Sequence, residues 1–147
     1  MTKVTGRTAS LVVGVGARRG ARTGEVLDLI GDVLRDAGLS PLDVVELATV
    51  EAKADEPGIV GAAGLLGVAL RAYPAELLAS VRVPSASGAA LTAVGTPSVA
   101  EAAALARGGE LIVPKRRSSP NSRSPAVTCA VVRRPLNGVE ALPVDRM

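Results

Sequence analysis

Histidine is absent from the 147 residues, cysteine occurs once, and neither phenylalanine nor tryptophan occurs at all. Each absence excludes a class of chemistry. Without imidazole there is no histidine general base, and no Ser–His or Cys–His nucleophile pair. With Cys129 as the lone thiol, a His/Cys zinc site is excluded as well. One cysteine forms no intrachain disulfide, which fits a reducing compartment, and a cytoplasmic location is expected. Tyr73 is the single aromatic residue. Base-stacking modules such as the RNA-recognition and OB folds need several aromatic platforms, so nucleic acid is not an expected partner. Long apolar runs are also missing. The longest, Ile59 to Leu70, has 12 residues interrupted by glycine, whereas a bilayer span needs ~20. The apolar run from Leu11 to Val15 is too short for the core of a signal peptide, so no membrane association is expected.

What is present is an aliphatic chain, 48% hydrophobic and 21% charged, of a length that fits one domain. Its core must be built from Ala, Val, Leu and Ile. The net charge of +3 conceals an uneven distribution. Met1 to Gly24 carries Lys3, Arg7, Arg18, Arg19 and Arg22 and no acid. Leu111 to Val139 carries Lys115, Arg116, Arg117, Arg123, Arg133 and Arg134, again with no acid. Between them, Glu25 to Glu110 holds five basic and twelve acidic residues, a balance of −7. Two basic blocks flank an acidic body. They are either solvated surface or, if the fold brings them to one edge, an anion site.

Hydrophobic periodicity alternates strands with helices. Ser10 to Val15 reads as a buried strand. Thr23 caps a helix from Gly24 to about Ala37, whose apolar positions recur at three and four residues until Gly38 stops it. Ser40-Pro41-Leu42-Asp43 opens a short helix, and Glu46 to Val50 forms a second strand. Pro57 begins a helix to Ala72, apolar nearly all round and so expected to be buried on more than one side. Gly58, Gly61, Gly64 and Gly67 recur along it every three residues. Each interior glycine costs ~1 kcal/mol relative to alanine. The stripe therefore marks either a close backbone approach, to the sheet or to a second copy of the chain, or glycine-rich composition alone. Ala75 to Ala79 makes one more helical turn. Val81 to Val83 is a short extended piece, and Leu91 to Val94, Leu111 to Val113 and Ala126 to Val132 are strands. Ser98 with Glu101 forms a capping box before a helix from Val99 to Arg107. Lys115 to Pro125 reads as a basic loop. The domain is expected to span residues 1–134, with 135–147 as a tail.

This pattern predicts a single α/β domain, a three-layer α/β/α sandwich around a mostly parallel or mixed sheet of about five strands. In such sheets ligands sit beyond the carboxyl ends of the strands. The loops after Val15, Val50, Val94 and Val113 belong to that edge if their strands are parallel. They carry Arg18, Arg19 and Arg22, then Lys53, then Thr96 and Ser98, then Lys115. Gly14-Val15-Gly16-Ala17-Arg18-Arg19-Gly20 is a poor dinucleotide fingerprint because its third glycine comes one residue late. A glycine turn leading into a helix still offers backbone donors to an anion.

Four blocks in order, GVGARRG, LATVEAKADEPG, VGTPSVAEAAAL and ELIVPK with a later AVTCAVVRR, resemble the CobE / CbiG C-terminal domain family of cobalamin biosynthesis. The likeness runs from about Ser10 to Arg134 and is greater to the free-standing CobE type than to the larger CbiG proteins. It departs from the family in the basic loop Arg116 to Pro125 and in the tail. The resemblance implies a ligand that is a precorrin or cobalt-precorrin, a ring-shaped polycarboxylate that arginine and lysine can pair with. The expected ligand contacts are Gly14, Gly16, Arg18, Arg19, Lys53, Thr96, Ser98 and Lys115. Two roles stand side by side, a binding or accessory protein of the pathway and a lactone hydrolase of the cobalt-precorrin-5A type, with a basic nucleic-acid- or nucleotide-binding module as a remote third. The second needs a general base, for which Glu51, Lys53 and Glu56 are the catalytic candidates, with Glu101 a further carboxylate. No cofactor and no metal are expected. Other enzymes of the pathway and a second copy of the chain are the remaining expected partners.

Overall fold

The computed structural model describes residues 9–81, 99–118 and 126–135. Five strands, β1 (Ala9–Ala17), β2 (Val44–Val50), β3 (Ala69–Tyr73), β4 (Glu110–Arg117) and β5 (Val127–Pro135), form one sheet in the order β3-β2-β1-β5-β4. β1 pairs in parallel with β2, and β2 with β3. β5 runs antiparallel to both β1 and β4. Among the described strands four therefore point one way and β5 points back, so the sheet is mixed. The carboxyl ends of β1, β2, β3 and β4 share one edge.

Helices cover both faces. Along β1 the side chains alternate, as a pleated strand requires. Leu11, Val13 and Val15 pack against α1 (Thr23–Asp36) and α2 (Pro57–Leu66), while Val12 faces Leu78 of α3 (Ala75–Ala79) and Ala102 and Ala103 of α4 (Val99–Leu105). The second face is closed by small residues. A Cβ built on Gly14 would stand 1.9 Å from the carbonyl oxygen of Ala100, so α4 lies directly on the β1 backbone. Its alanines permit that approach.

Several expectations from the sequence are corrected. Thr23 is the first residue of α1 and not its cap; Arg22 holds the cap position, and the Thr23 hydroxyl lies 3.4 Å from the Pro57 carbonyl. The helix expected to reach Ala72 ends at Leu66, where Gly67 turns left-handed at φ +72° and the Val68 N–H returns to the Ala63 carbonyl. The residues beyond it form β3. An unbroken apolar run conceals such a helix-to-strand switch, because periodicity cannot register it. Nor is α2 buried on more than one side: Gly58, Ile59, Ala62 and Ala63 form one buried face, while Val60 and Leu65 are exposed. The glycine stripe divides by position. Gly58 packs on the Ala21 carbonyl and Gly61 on Thr23, Gly64 meets nothing, and Gly67 supplies the positive φ. β4 continues through Arg117, so Lys115 lies in a strand and not in a loop. The expected strand Leu91 to Val94 lies outside the described residues.

Candidate functional site

The β1–α1 turn shapes the carboxyl edge. Arg18 continues the β1–β5 pairing by donating its N–H to the Ala126 carbonyl at 2.8 Å, and Ala21 N–H returns to the Arg18 carbonyl. Gly20 adopts φ +82° and donates its N–H to the Glu56 carboxylate at 2.6 Å. That bond ties the β1–α1 loop to the loop leading into α2. Beneath it, the buried Thr49 hydroxyl donates to the Val15 carbonyl at 2.7 Å and joins β1 to β2. Arg18, Arg19 and Arg22 are left exposed, held on a braced turn at the N-terminal end of α1.

Two clefts open here. One, about 650 Å³, is lined by Arg19 to Thr23 and Asp55 to Gly58, with the N-terminal ends of both α1 and α2 on its wall. The other, about 750 Å³, runs along α1 to the end of β4, and its cations are Arg22, Arg35, Arg116 and Arg117. Arg22 lines both, and in the larger cleft it meets Arg116 and Arg117 from the second basic block. The fold thus brings the two acid-free blocks together around α1. Not all of this charge is open to a ligand: Arg116 pairs with Asp36 at 2.8 Å and Arg35 with Asp32. Glu25, in the first turn of α1, accepts from the Ser118 hydroxyl and from the Ala126 N–H at 3.1 Å, anchoring the base of the β4–β5 connection.

Of the residues expected in the site, Arg18 and Arg19 lie exposed on the turn after β1, and half-buried Lys53 follows β2 at the same edge. Gly14 does not face a ligand. It is buried beneath α4, and its lack of a side chain is explained by packing. Gly16 is similarly close to the Thr128 hydroxyl, 2.8 Å from where a Cβ would stand. Lys115 is half-buried in β4 and donates its backbone N–H to Glu101 at 2.7 Å. Glu101 itself is fully enclosed. Among the catalytic candidates, Glu51 is exposed, while Glu56 is buried and bonded to Gly20. Thr96 and Ser98 lie outside the described residues. The sequence places Arg22 on this edge without naming it as a contact and does not point to Arg116 and Arg117, although their acid-free block is the available signal.

The lone thiol is not a reactive group. Burial pushes the Cys129 pKa up to about 12, with Arg116 opposing weakly, so the sulfur is neutral at physiological pH. Among the described residues no group of three or more Cys, Asp or Glu is placed to hold a metal ion, and no helix is long and apolar enough to cross a membrane.

The chain is thus a three-layer α/β domain of the mixed-sheet class, with cations gathered at the carboxyl ends of its strands. The chain is a member of the CobE / CbiG family of cobalamin biosynthesis: the family model described as "Cobalamin synthesis G C-terminus" matches residues 11–132. It is 37% identical over 112 residues to the protein CobE of a Sinorhizobium species, covering 73% of each chain. The crystal structure of CobE, a protein from the cobalamin (vitamin B12) biosynthetic pathway, superposes with a TM-score of 0.73 at 31% identity, over 85% of this chain and 93% of that one. The cobalamin biosynthesis protein chiG of Agrobacterium tumefaciens matches with a TM-score of 0.56 at 30% identity, over 86% and 98%. A cobalamin biosynthesis protein G homolog from Sulfolobus solfataricus shares the fold at 22% identity, with a TM-score of 0.65. The likeness covers 86% of this chain and 37% of that longer one.

Proposed function

We propose that the chain binds a precorrin-type polycarboxylate macrocycle at its basic edge, at or near the opening of the ring-A lactone of precorrin-5. The observation that carries this reading is the exposed trio Arg18, Arg19 and Arg22 on a braced turn, with Arg22 shared by two adjoining clefts. A ring bearing several carboxylates needs cations spread over such a width, and arginine forks bind carboxylates bidentately. Lys53 extends the cationic edge beyond β2. Binding is favoured over hydrolysis because Glu56, a candidate base, already accepts the Gly20 N–H and is buried. The decisive experiment mixes purified protein with precorrin-5 species, follows co-elution of the pigment, and assays acetaldehyde. Retention without acetaldehyde is the expected result. Acetaldehyde release would replace the binding role by a lactone hydrolase, and absence of both would remove the corrinoid reading.

A further inference from the structure

On the opposite face of the sheet, under α3 and α4, two guanidinium groups share one carboxylate and a third stands nearby. Strand register places them together. Glu46 lies beside Val12 of β1, Arg71 and Tyr73 pair with Ala48 and Val50 two and four residues further along the same face of β2, and Arg134 follows two residues after Val132, the β5 partner of Val12. Glu46 has 7% of its side chain exposed. It accepts from Arg71 Nε at 3.1 Å, and Arg134 Nη2 stands 3.6 Å from its second oxygen. Arg107, just past the end of α4, has no ion pair among the described residues. Arg71, Tyr73 and Arg107 line an open cleft of about 540 Å³.

The polar groups around this cleft are underused. The Tyr73 hydroxyl, Arg134 Nε and Nη2 and Glu46 Oε2 are buried without a hydrogen-bond partner, Nη2 and Oε2 facing each other at 3.6 Å, so the Tyr73 hydroxyl and Arg134 Nε are the donors with no acceptor beside them. A buried donor left unmade is costly, and here both converge where cations outnumber the single acid by two. Burial, then the nearby Glu46 charge, raises the Tyr73 pKa against the opposing pull of Arg107, Arg134 and Arg71. The hydroxyl is therefore a donor at neutral pH. Glu46 accounts for part of the positive charge and holds Arg71 in place; the remaining donors suit an oxyanion.

We propose that Arg71, Tyr73, Arg107 and Arg134 form a second anion site, which takes a carboxylate or phosphate group on the face of the sheet away from α1 and α2. This site is independent of the macrocycle reading, so either can fail alone. Tyr73 is the only aromatic residue of the chain, and its fluorescence reports on the site directly. The experiment titrates the full chain with inorganic phosphate and, separately, with citrate, at ionic strength held constant with sodium chloride. A saturable change in tyrosine emission is expected with at least one of them. Phosphate alone would identify a free oxyanion as the ligand, and citrate alone the carboxylate arm of a larger molecule. Arg107→Ala, at an exposed position, should weaken that affinity at least tenfold. Tyr73→Phe, followed by calorimetry, should weaken it several-fold. No saturable signal beyond the chloride control would overturn the proposal, as would equal affinity in wild type, Arg107→Ala and Tyr73→Phe. Either result would mean that water alone satisfies these donors.

Discussion

Cys129, the third residue of β5, has no exposed surface, and its chemistry follows from that burial. Its folded pKa of about 12 exceeds the ordinary value of 9.0. Between those values the unfolded chain loses the thiol proton while the folded chain keeps it. Stability contributed by the neutral thiol is therefore complete below pH 9 and declines as pH rises towards 12, by up to about 1.4 kcal/mol per pH unit. The raised Tyr73 pKa has the same sign and adds to the loss above pH 10. Urea denaturation of wild type and Cys129→Ala at pH 8, 9.5 and 11 should show a shallower alkaline decline in the variant. Equal declines would contradict the assignment. The same burial predicts that a thiol reagent at pH 8 labels Cys129 only after denaturation. Glu101 is a comparable case among the carboxylates. It is enclosed in α4 and accepts the Lys115 N–H, so its role is to join α4 to β4. Glu101→Ala should cost about 1–3 kcal/mol through the buried N–H it abandons. Glu101→Gln, which keeps an acceptor, should cost less. A chemical denaturation series that ranks the two variants the other way would break the argument.

At the level of elements, glycines that look equivalent in the sequence separate according to what lies above them. Gly64 faces open space on α2, whereas a Cβ on Gly58 would stand 2.2 Å from the Ala21 carbonyl oxygen and one on Gly14 would stand 1.9 Å from that of Ala100. Gly64→Ala should therefore stabilise the chain by about 0.5–1 kcal/mol, since only helix propensity changes. Gly58→Ala and Gly14→Ala should each destabilise it by roughly 1–3 kcal/mol or more, because backbone must move aside. Thermal melts of the three variants test the whole set, and a stabilising Gly58→Ala would refute the packing of α2 on the β1–α1 turn. β1, α1 and β2 were legible because their apolar periods are clean and glycine, proline or serine signals bound them. β3 was not, because VALRAY continues the apolar run of α2 and only Gly67, with φ +72°, separates them. The length of β4 was hidden for the opposite reason. Lys115, Arg116 and Arg117 look like loop in composition, yet their backbone pairs along β5, with Arg116 opposite Cys129 and Arg117 opposite Thr128. Tertiary pairing overrides local propensity in such edge strands.

For the molecule as a whole, the asymmetry of charge acquires a geometry. β1 and β4 point the same way although β5 lies between them, so the basic residues after β1 and those at the end of β4 come to one edge. Block composition made that edge foreseeable. Composition could not foresee that Arg22 would be the residue shared by both clefts, or that Gly14 would be covered by α4, because both depend on where helices pack. The exposed edge makes ionic strength the most direct test of the proposed ligand. Screening length shrinks from ~10 Å at 0.1 M salt to ~3 Å at 1 M, so contacts between exposed guanidinium groups and ring carboxylates should weaken steeply over that range. Each charge-assisted bond removed should cost ~1.5–3 kcal/mol of binding, more than tenfold in affinity. Arg18→Ala and Arg22→Ala should each show that loss with melting temperatures near wild type, since substituting exposed charges changes stability by less than ~0.5 kcal/mol. Lys115→Ala should lose less, because Lys115 is half-buried within β4 and short of the strand end. Replacing Arg18, Arg19 and Arg22 together by alanine should flatten the salt dependence as well as lower the affinity. Corrinoid retention that is indifferent to salt in wild type, or a triple variant with an unchanged salt slope, would place the macrocycle away from this edge.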